Sequence, residues 1–328
     1  MITFLASPKP FHGIAKEQQY RAIRSWQATG KDAEVILYGD SAGIDDAGGD
    51  LGVRIVRQID CASSGIPHFG AIAEHAAAHA RHDLQVYLNC DILLSTSIVA
   101  IRHIPFDRFL AIGQRIDLAE GVLLAADGAD AVRHLRELAA AGRAALHPPG
   151  GIDYFAFRRG TWERLPPIVI GRGAYDHALM AHCMRRRIPI VDATLSVLAI
   201  HQFHNYAHQP GGKAVVFQGH DAQQNSRHAG GRHSTPTIAD ADYALRRCEL
   251  APCAARGDRL RRAEMKLRFE VGAEQLGLLL RPLWRGLRLL GWRPERNPTL
   301  QEVLRESAMD GSNAAGTAAC SGREWPSP

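Results

Sequence analysis

Asn89 and Asp91 are the residues of this chain whose types and spacing most directly suggest chemistry. They follow an apolar run at 86–88 that has the composition of a central strand, and the chain becomes apolar again at Ile92. Asn and Asp are poor strand formers, so packing does not explain them at the end of such a strand. A carboxylate at the carboxyl edge of an α/β sheet can hold a hard divalent cation, which can in turn hold a diphosphate.

A simpler interpretation of Asn89 and Asp91 needs no ligand. In it, the segment is a strand-to-helix turn in which Asp91 accepts backbone hydrogen bonds and Ser95 caps the next helix.

Three histidines farther along the chain, His201, His204 and His208, form the pattern His-x2-His-x3-His. A zinc site would need a fourth ligand and a turn that holds all three, and neither is evident. His204 and His208 are therefore interpreted as loop residues bonded to backbone.

The composition is that of an ordinary globular protein, with 46% hydrophobic and 22% charged residues among 328. The net charge is 39 − 34 = +5, but residues 256–305 alone contain twelve Arg and Lys against six Asp and Glu. The rest of the chain is near neutral, which argues against a nucleic-acid-binding body. Six cysteines without a CxxC pair, no signal-peptide pattern and no membrane-length apolar run favour a cytoplasmic protein with reduced thiols.

Strand and helix patterns alternate through most of the chain. The predicted strands are Ile2–Ala6, Glu34–Tyr38, 53–57, 85–88, 109–113, 152–157 and 188–191, and the predicted helices are 16–29, 66–81, Thr96–His103, 130–141 and 175–187. This alternation indicates βαβ units and a mostly parallel sheet flanked by helices. Residues 209–236, rich in Gly, His, Gln and Asn, are expected to form a long loop over a site or a mobile segment. Residues 307–328 are expected to be disordered.

Five segments, in order along the chain, carry a resemblance to a known family. They are SPKPF at 7–11, NCD at 89–91, GIDYFAFRRG at 151–160, IGRGAYD at 170–176 and IHQFHNY at 200–206. Together they resemble bacterial glycosyltransferase-like proteins of the GT-A fold, in the nucleotide-diphospho-sugar transferase superfamily, over residues 1–245. The resemblance implies a Rossmann-like mixed sheet with a sugar nucleotide at its carboxyl edge and Mg²⁺ or Mn²⁺ between the two phosphates.

The resemblance also implies roles for matching residues. Asp91 and His201 would bind the metal, and Asp176, near the start of a helix, would be the general base. Contacts to the donor are expected from Pro8, Asn89, Asp91, Arg115 and Arg172, and contacts to the acceptor from Asp153 and Tyr154. Simpler roles stay open, since Asp176 could merely stabilise its helix and Arg172 could be a solvated loop charge.

Asn89 departs from the family pattern, because it stands where the motif usually has its first Asp. Its amide could bond a ribose hydroxyl or a metal-bound water, but it adds no negative charge. A metal-independent variant of the site therefore stays open.

A basic helical segment is expected at 246–306, after the transferase domain. Its apolar stripe and its basic face consist of Leu276, Leu280, Leu283, Leu287 and Leu290 on one side and Arg281, Arg285 and Arg288 on another. Pro282 is expected to kink or restart the helix. Such a stripe suits peripheral contact with an anionic membrane at its inner face, and equally packing against the body or a second subunit.

The leading functional hypothesis is a glycosyltransferase that moves a sugar from a nucleotide-diphosphate donor to a hydroxyl. Its acceptor would be a glycan or a lipid-linked molecule in polysaccharide or glycoconjugate biosynthesis. A sugar nucleotidyltransferase is disfavoured, because that class needs a Gly-rich basic loop after its first strand and residues 7–10 here are SPKP. A non-catalytic protein that binds a nucleotide or glycan on the same fold is the third hypothesis, kept open by Asn89.

Overall fold

The computed structural model describes residues 1–124, 128–204, 212–231, 235–246, 248–253, 259–289 and 298–312. The strands in these ranges are β1 (Ile2–Ala6), β2 (Glu34–Tyr38), β3 (Arg54–Val56), β4 (Leu84–Leu88), β5 (Ile92–Leu94), β6 (Leu110–Ile112), β7 (Ile116–Leu118), β8 (Ala144–Leu146), β9 (Tyr154–Arg158), β10 (Ile190–Asp192), β11 (Ala199–His201), β12 (Tyr243–Arg246) and β13 (Glu249–Pro252). The helices are α1 (Gly13–Gln27), α2 (Ile44–Leu51), α3 (Phe69–His79), α4 (Gly128–Ala140), α5 (Tyr175–Arg185), α6 (Gly212–Gln218), α7 (His220–His228), α8 (Arg259–Met265), α9 (Glu274–Leu289) and α10 (Leu300–Ser312). Shorter helical turns cover Thr96–His103, Ile238–Asp240 and Lys266–Glu270.

A large sheet with strand order β13-β12-β10-β6-β9-β4-β1-β2-β3 forms the centre of the molecule. Strand β9 is antiparallel to both of its neighbours, β13 is antiparallel to β12, and the other neighbouring pairs are parallel. A smaller sheet has the order β5-β11-β7-β8. A mostly parallel mixed sheet flanked by helices is the predicted fold class, which is confirmed.

Both faces of the large sheet are buried, because alternate residues of its central strands belong to two different apolar clusters. Phe4 lies in one cluster and Leu5 in the other. Helix α1 covers the first face with Trp26, whose indole N–H donates to the Ile92 carbonyl oxygen at 2.8 Å. Helices α3 and α5 cover the second face, with Phe69 and Leu179 fully buried. Strands buried on both faces explain why the sequence reads there as continuous apolar runs.

Three expectations from the sequence are wrong in part. Residues 212–228 form α6 and α7 rather than a loop. The buried Asn225 side chain donates to the Val169 carbonyl at 2.8 Å and accepts from the Val169 N–H at 2.9 Å. These tertiary bonds stabilise α7 despite its unfavourable composition. Helix α10 continues to Ser312, so the expected disorder is wrong for residues 307–312, and residues 313–328 lie outside the described ranges. Helix α9 runs through Pro282, so it does not restart there.

The basic segment is partly integrated into the body of the molecule. Strand β12 crosses the expected domain boundary at 245, so the large sheet continues into this segment. Of the predicted stripe, Leu276 and Leu283 are exposed, Leu280 and Leu287 are half-buried, and Leu290 lies outside the described residues. Among the described residues, no helix combines the length and apolar character needed to cross a bilayer.

Tyr154 points into the core from the first residue of β9. Its ring is fully buried, and its hydroxyl has no hydrogen-bond partner among the described residues. The hydroxyl lies over Gly113, where an added Cβ would be 2.2 Å from the tyrosine oxygen and 3.0 Å from the Thr194 backbone nitrogen. Position 113 therefore accepts only glycine without rearrangement.

This packing leads to a stability prediction. Tyr154→Phe should leave the free energy of unfolding unchanged or raise it by up to about 2 kcal/mol, because it removes an unsatisfied buried hydroxyl. Gly113→Ala should lower it by about 1–3 kcal/mol through overpacking. The cost of Gly113→Ala should be smaller in the Tyr154→Phe background, which urea unfolding of the single and double variants would measure. Equal costs in both backgrounds would show that the tyrosine oxygen is not the obstacle.

Candidate functional site

The candidate site lies at the edge of the large sheet where its parallel strands end. Lys9 follows β1, Asp91 follows β4 and Arg115 follows β6, while Asp153 directly precedes the antiparallel β9 and so reaches the same edge. Strand β11 of the small sheet ends at His201 and is antiparallel to β5, which begins just after Asp91. The topology thereby brings polar residues from distant parts of the chain to one edge, as is usual in open α/β sheets.

Asp91, His201 and His204 form a compact cluster of possible metal ligands, with one donor atom from each within 4.8 Å of the others. His204 Nε2 lies 3.1 Å from Asp91 Oδ2, and His201 Nε2 lies 4.0 Å from Asp91 Oδ1. The Asp91 side chain is only 7% exposed. Burial raises the pKa of this carboxyl, but Lys9 and the two histidines outweigh burial and hold the pKa well below its usual range.

The donor set fits a divalent cation. Asp91 Oδ1 is buried and has no hydrogen-bond partner among the described residues, which is costly unless another group satisfies it. One carboxylate and two imidazoles are ligands of first-row divalent metals, and the carboxylate is the ligand among them that suits Mn²⁺ or Mg²⁺. The backbone-bonding interpretation of Asp91 is not favoured, since its carboxylate contacts the side chains of Lys9 and His204, although Ser95 does cap the following turn.

Asp117 orients His201 from behind. Its Oδ1 lies 3.3 Å from His201 Nδ1, which leaves Nε2 as the imidazole nitrogen that faces Asp91. Its Oδ2 lies 2.5 Å from His147 Nδ1, and Arg115 Nε donates to Oδ1 at 2.7 Å. Burial raises the pKa of the Asp117 carboxyl, but the two histidines and Arg115 lower it far more. A carboxylate behind a histidine is the usual support of a metal-binding imidazole.

Asn89 belongs to a second network, which joins β4, β9 and α5. Its Nδ2 donates to Asp153 Oδ1 at 2.6 Å, and its Oδ1 accepts from the Tyr175 hydroxyl at 3.3 Å. Arg115 forms an ion pair with the other oxygen of Asp153. Burial lowers the pKa of the Arg115 guanidinium, but the carboxylates of Asp153 and Asp117 outweigh burial and raise the pKa above its usual value. The amide therefore contacts protein groups on both sides and positions Asp153.

The network predicts that Asn89→Asp, which restores the family motif, is harmful. A carboxylate at 89 would replace an N–H donor that lies 2.6 Å from Asp153 Oδ1, so two negative oxygens would face each other. We expect the free energy of unfolding to fall by about 1–3 kcal/mol. Thermal unfolding would measure this loss of stability. Asp40→Asn, which makes the reverse exchange of carboxylate and amide at an exposed ion pair, is the control. A stable variant with stronger Mn²⁺ binding would contradict this role of Asn89.

Asp176, the predicted general base, lies in the first turn of α5. It is buried, and its Oδ1 accepts the His177 backbone N–H at 2.9 Å. Burial raises the pKa of the carboxyl, and the nearby Asp153 charge raises it further, although His177 opposes the shift. Ala174, just before the helix, has the left-handed φ of 65°, an uncommon conformation for a residue with a Cβ. A buried carboxylate of raised pKa beside a strained turn is typical of functional sites.

The structure places the remaining predicted residues as follows. Pro8 is buried beside Lys9, and its carbonyl accepts from Ser41 Oγ at 2.6 Å. Arg172 is buried, and burial lowers the pKa of its guanidinium. The carboxylate of Asp221 on α7, which is not part of the cluster around Asp91, opposes this shift. Tyr154 is fully buried, with its hydroxyl against Gly113. The donor and acceptor roles of these residues stay predictions.

Sequence reasoning missed two residues that contact Asp91. The interpretation of His204 as a loop residue bonded to backbone does not describe its position, since its ring contacts the Asp91 carboxylate. The His-x2-His spacing after β11 was the available signal. Lys9 carried no comparable signal, and only the fold brings its ammonium 2.7 Å from Asp91 Oδ2. His208 lies outside the described residues.

Comparison with known proteins gives structural matches only. Glucosyl-3-phosphoglycerate synthase from Mycobacterium tuberculosis, in complex with Mn²⁺, uridine diphosphate and glucosyl-3-phosphoglycerate, has 15% identity and a TM-score of 0.42, over 71% of this chain and 81% of that one. A Desulfovibrio desulfuricans G20 protein described as a nucleotide-diphospho-sugar transferase has 12% identity and a TM-score of 0.35, over 69% and 95%. S. aureus TarS residues 1–349 match with 10% identity and a TM-score of 0.35, over 62% and 57%.

No protein-family model and no curated protein sequence matches the chain. The identities of the structural matches are far below the level at which an activity can be carried from one protein to another, so the functional conclusion depends on the geometry of the site.

Proposed function

We propose that the protein is a glycosyltransferase that binds a nucleotide-diphosphate sugar together with Mn²⁺ or Mg²⁺. The observation that carries the proposal is the cluster of Asp91, His201 and His204 at the carboxyl edge of β4, in which the buried Asp91 Oδ1 has no hydrogen-bond partner within the described ranges. A divalent cation held there would neutralise charge on the diphosphate as it leaves the sugar. Asp117 and Asp91 would keep the His201 ring in the orientation that the cation needs.

Asp176 is proposed as the general base of a direct displacement. It would take the proton from the acceptor hydroxyl as that oxygen bonds to the anomeric carbon and the bond from the carbon to the diphosphate breaks. The raised pKa of the Asp176 carboxyl suits this role, because a base is most effective when its pKa is near the working pH. Asp153, held by Arg115 and Asn89, would keep the neighbouring acceptor side of the site ordered.

Nucleotide binding tests the proposal directly. Thermal unfolding would be followed with UDP, GDP, dTDP and CMP, each with Mn²⁺ or with EDTA. A ligand at 100 times its dissociation constant adds about 2.7 kcal/mol, which corresponds to a rise of several degrees in the midpoint. We expect one nucleotide to stabilise the wild type only with Mn²⁺, and Asp91→Asn to abolish this effect.

Asp40→Asn is the matched control, because it removes the charge of an exposed carboxylate paired with Arg57. Stabilisation by none of the nucleotides would contradict the proposal. Stabilisation without any transfer of sugar from the corresponding donor would favour the non-catalytic alternative instead.

Three finer parts of the hypothesis remain proposals. They are the place of the reaction in polysaccharide or glycoconjugate biosynthesis, the cytoplasmic location, and peripheral contact of residues 274–306 with an anionic membrane. The exposed leucines of α9 are compatible with such contact. Co-sedimentation with anionic liposomes, compared with a variant that lacks residues 274–306, would test it.

A further inference from the structure

Lys9 has a position that the proposed function does not explain. Its Nζ lies 2.7 Å from Asp91 Oδ2 and 3.2 Å from His204 Nε2, so the ammonium contacts two of the three possible metal ligands. A Lys ammonium has three N–H donors and no acceptor. It therefore contacts both atoms as a positively charged hydrogen-bond donor. The lysine thus contacts two residues that would hold a divalent cation, through His204 Nε2 and through the carboxylate oxygen of Asp91 next to the buried Oδ1.

The base of the Lys9 side chain is held in place. The buried side chain of Gln19 on α1 accepts the Lys9 backbone N–H at 2.8 Å and donates to the Lys9 carbonyl at 3.0 Å. The preceding carbonyl, of Pro8, is bonded by Ser41. A glutamine that binds both backbone groups of one residue fixes where the side chain starts. The flexible Lys9 side chain itself is 28% exposed. The ammonium can therefore change partners without movement of the backbone.

His204 Nε2 has one lone pair, so it cannot accept from the Lys9 ammonium and bind a metal at the same time. A metal at Asp91 Oδ1 would also lie beside the ammonium on Oδ2 of the same carboxylate, and like charges repel in a partly buried site. Binding of a metal to Asp91 and His204 thus requires the ammonium to leave His204. A diphosphate that arrives with the metal supplies new anionic oxygens within reach of the side chain, and charge-assisted hydrogen bonds to phosphate are strong. A metal that arrives alone supplies none.

We propose that Lys9 makes the site selective for a metal–diphosphate complex over the free metal. In the absence of ligand its ammonium balances the Asp91 carboxylate and competes with free divalent cations. In the complex it binds the diphosphate and adds to the affinity. The second half of this inference rests on the proposed function, whereas the first half depends only on the observed contacts.

The test is a titration of Mn²⁺ followed by the electron paramagnetic resonance signal of the free ion, alone and with inorganic pyrophosphate. Relative to the wild type, Lys9→Met should bind Mn²⁺ alone at least about tenfold more tightly and Mn²⁺–pyrophosphate at least about tenfold less tightly. Lys16→Met, which removes an exposed lysine of α1, should match the wild type in both titrations. Lys9→Arg keeps the charge and should show the wild-type order of affinities, and it is the variant to use if Lys9→Met does not fold.

The outcomes separate the two proposals. If Lys9→Met and the wild type bind Mn²⁺ alone with equal affinity, the competition is overturned. If Lys9→Met binds Mn²⁺–pyrophosphate as tightly as the wild type, the phosphate contact is overturned. A wild type that binds no Mn²⁺–pyrophosphate contradicts the proposed function itself, and the titration with Mn²⁺ alone still decides whether Lys9 competes with the metal.

Discussion

Asp176→Asn should reduce the rate of sugar transfer by about 10²–10⁴-fold, the usual contribution of a general base. The amide has nearly the shape of the carboxylate but cannot accept the proton of the acceptor hydroxyl. Its carbonyl oxygen can still accept the His177 backbone N–H, so the start of α5 should be preserved. The measurement is release of the nucleotide from whichever sugar nucleotide stabilises the wild type, with the affinity for the nucleotide determined in parallel.

A helix-stabilising role for Asp176 gives a different result. Asp46 also lies in the first turn of a helix, α2, but it is exposed and outside the site. If both carboxylates act only on the helix dipole, Asp176→Asn and Asp46→Asn should have similar small effects on stability, of about 0.3–1 kcal/mol, and none on turnover. Unchanged turnover in Asp176→Asn would remove the residue from the mechanism.

Arg268→Met should lower the free energy of unfolding by about 3–5 kcal/mol, because it leaves a buried carboxylate without its counter-charge. Arg268 and Glu264 are 1% and 0% exposed, and their ion pair spans 3.4 Å. Glu264 also accepts the Trp284 indole N–H at 2.7 Å, so the pair joins α9 to the turn at Lys266–Glu270. Urea unfolding would measure the loss.

Two further variants identify the cause. Arg108→Met breaks an exposed Arg–Glu pair at 3.5 Å and should cost less than about 1 kcal/mol. Adding Glu264→Gln to Arg268→Met removes the stranded charge while keeping an acceptor for Trp284, so it should restore part of the stability. A double variant as unstable as Arg268→Met would show that lost packing, rather than the buried charge, is responsible.

Local patterns predicted the central strands well, because these strands are buried on both faces. The bounds of β1 and β2 agree with the sequence prediction, and the strand before Asn89 differs from β4 by one residue at its start. The strands β7, β8 and β11, all of the smaller sheet, were missed. These short strands position Asp117, His147 and His201, so the missed elements are the ones that complete the site.

The candidate site was predictable where a polar residue interrupts an apolar pattern, and not where tertiary contacts decide. Asp91 was found because a carboxylate at the end of a buried strand has no packing purpose. Lys9 and His204 were not predicted to contact Asp91. The spacing of His204 from His201 was the available signal for the histidine, whereas only the fold brings Lys9 to Asp91. In the sequence, Asn89 is a departure from the family motif. In the structure, its amide donates to Asp153 and accepts from Tyr175, and an Asp at this position would have no N–H to donate to Asp153.

The central claim, that Asp91 and the two histidines bind the metal that accompanies the diphosphate, can be measured at the ligand atoms. Pulsed electron paramagnetic resonance of Mn²⁺ bound with the stabilising nucleotide detects imidazole nitrogens coupled to the ion. We expect nitrogen coupling in the wild type, a weaker signal in His201→Ala and in His204→Ala, and loss of bound Mn²⁺ in Asp91→Asn. Bound Mn²⁺ without nitrogen coupling, or unchanged binding in Asp91→Asn, would contradict the claim.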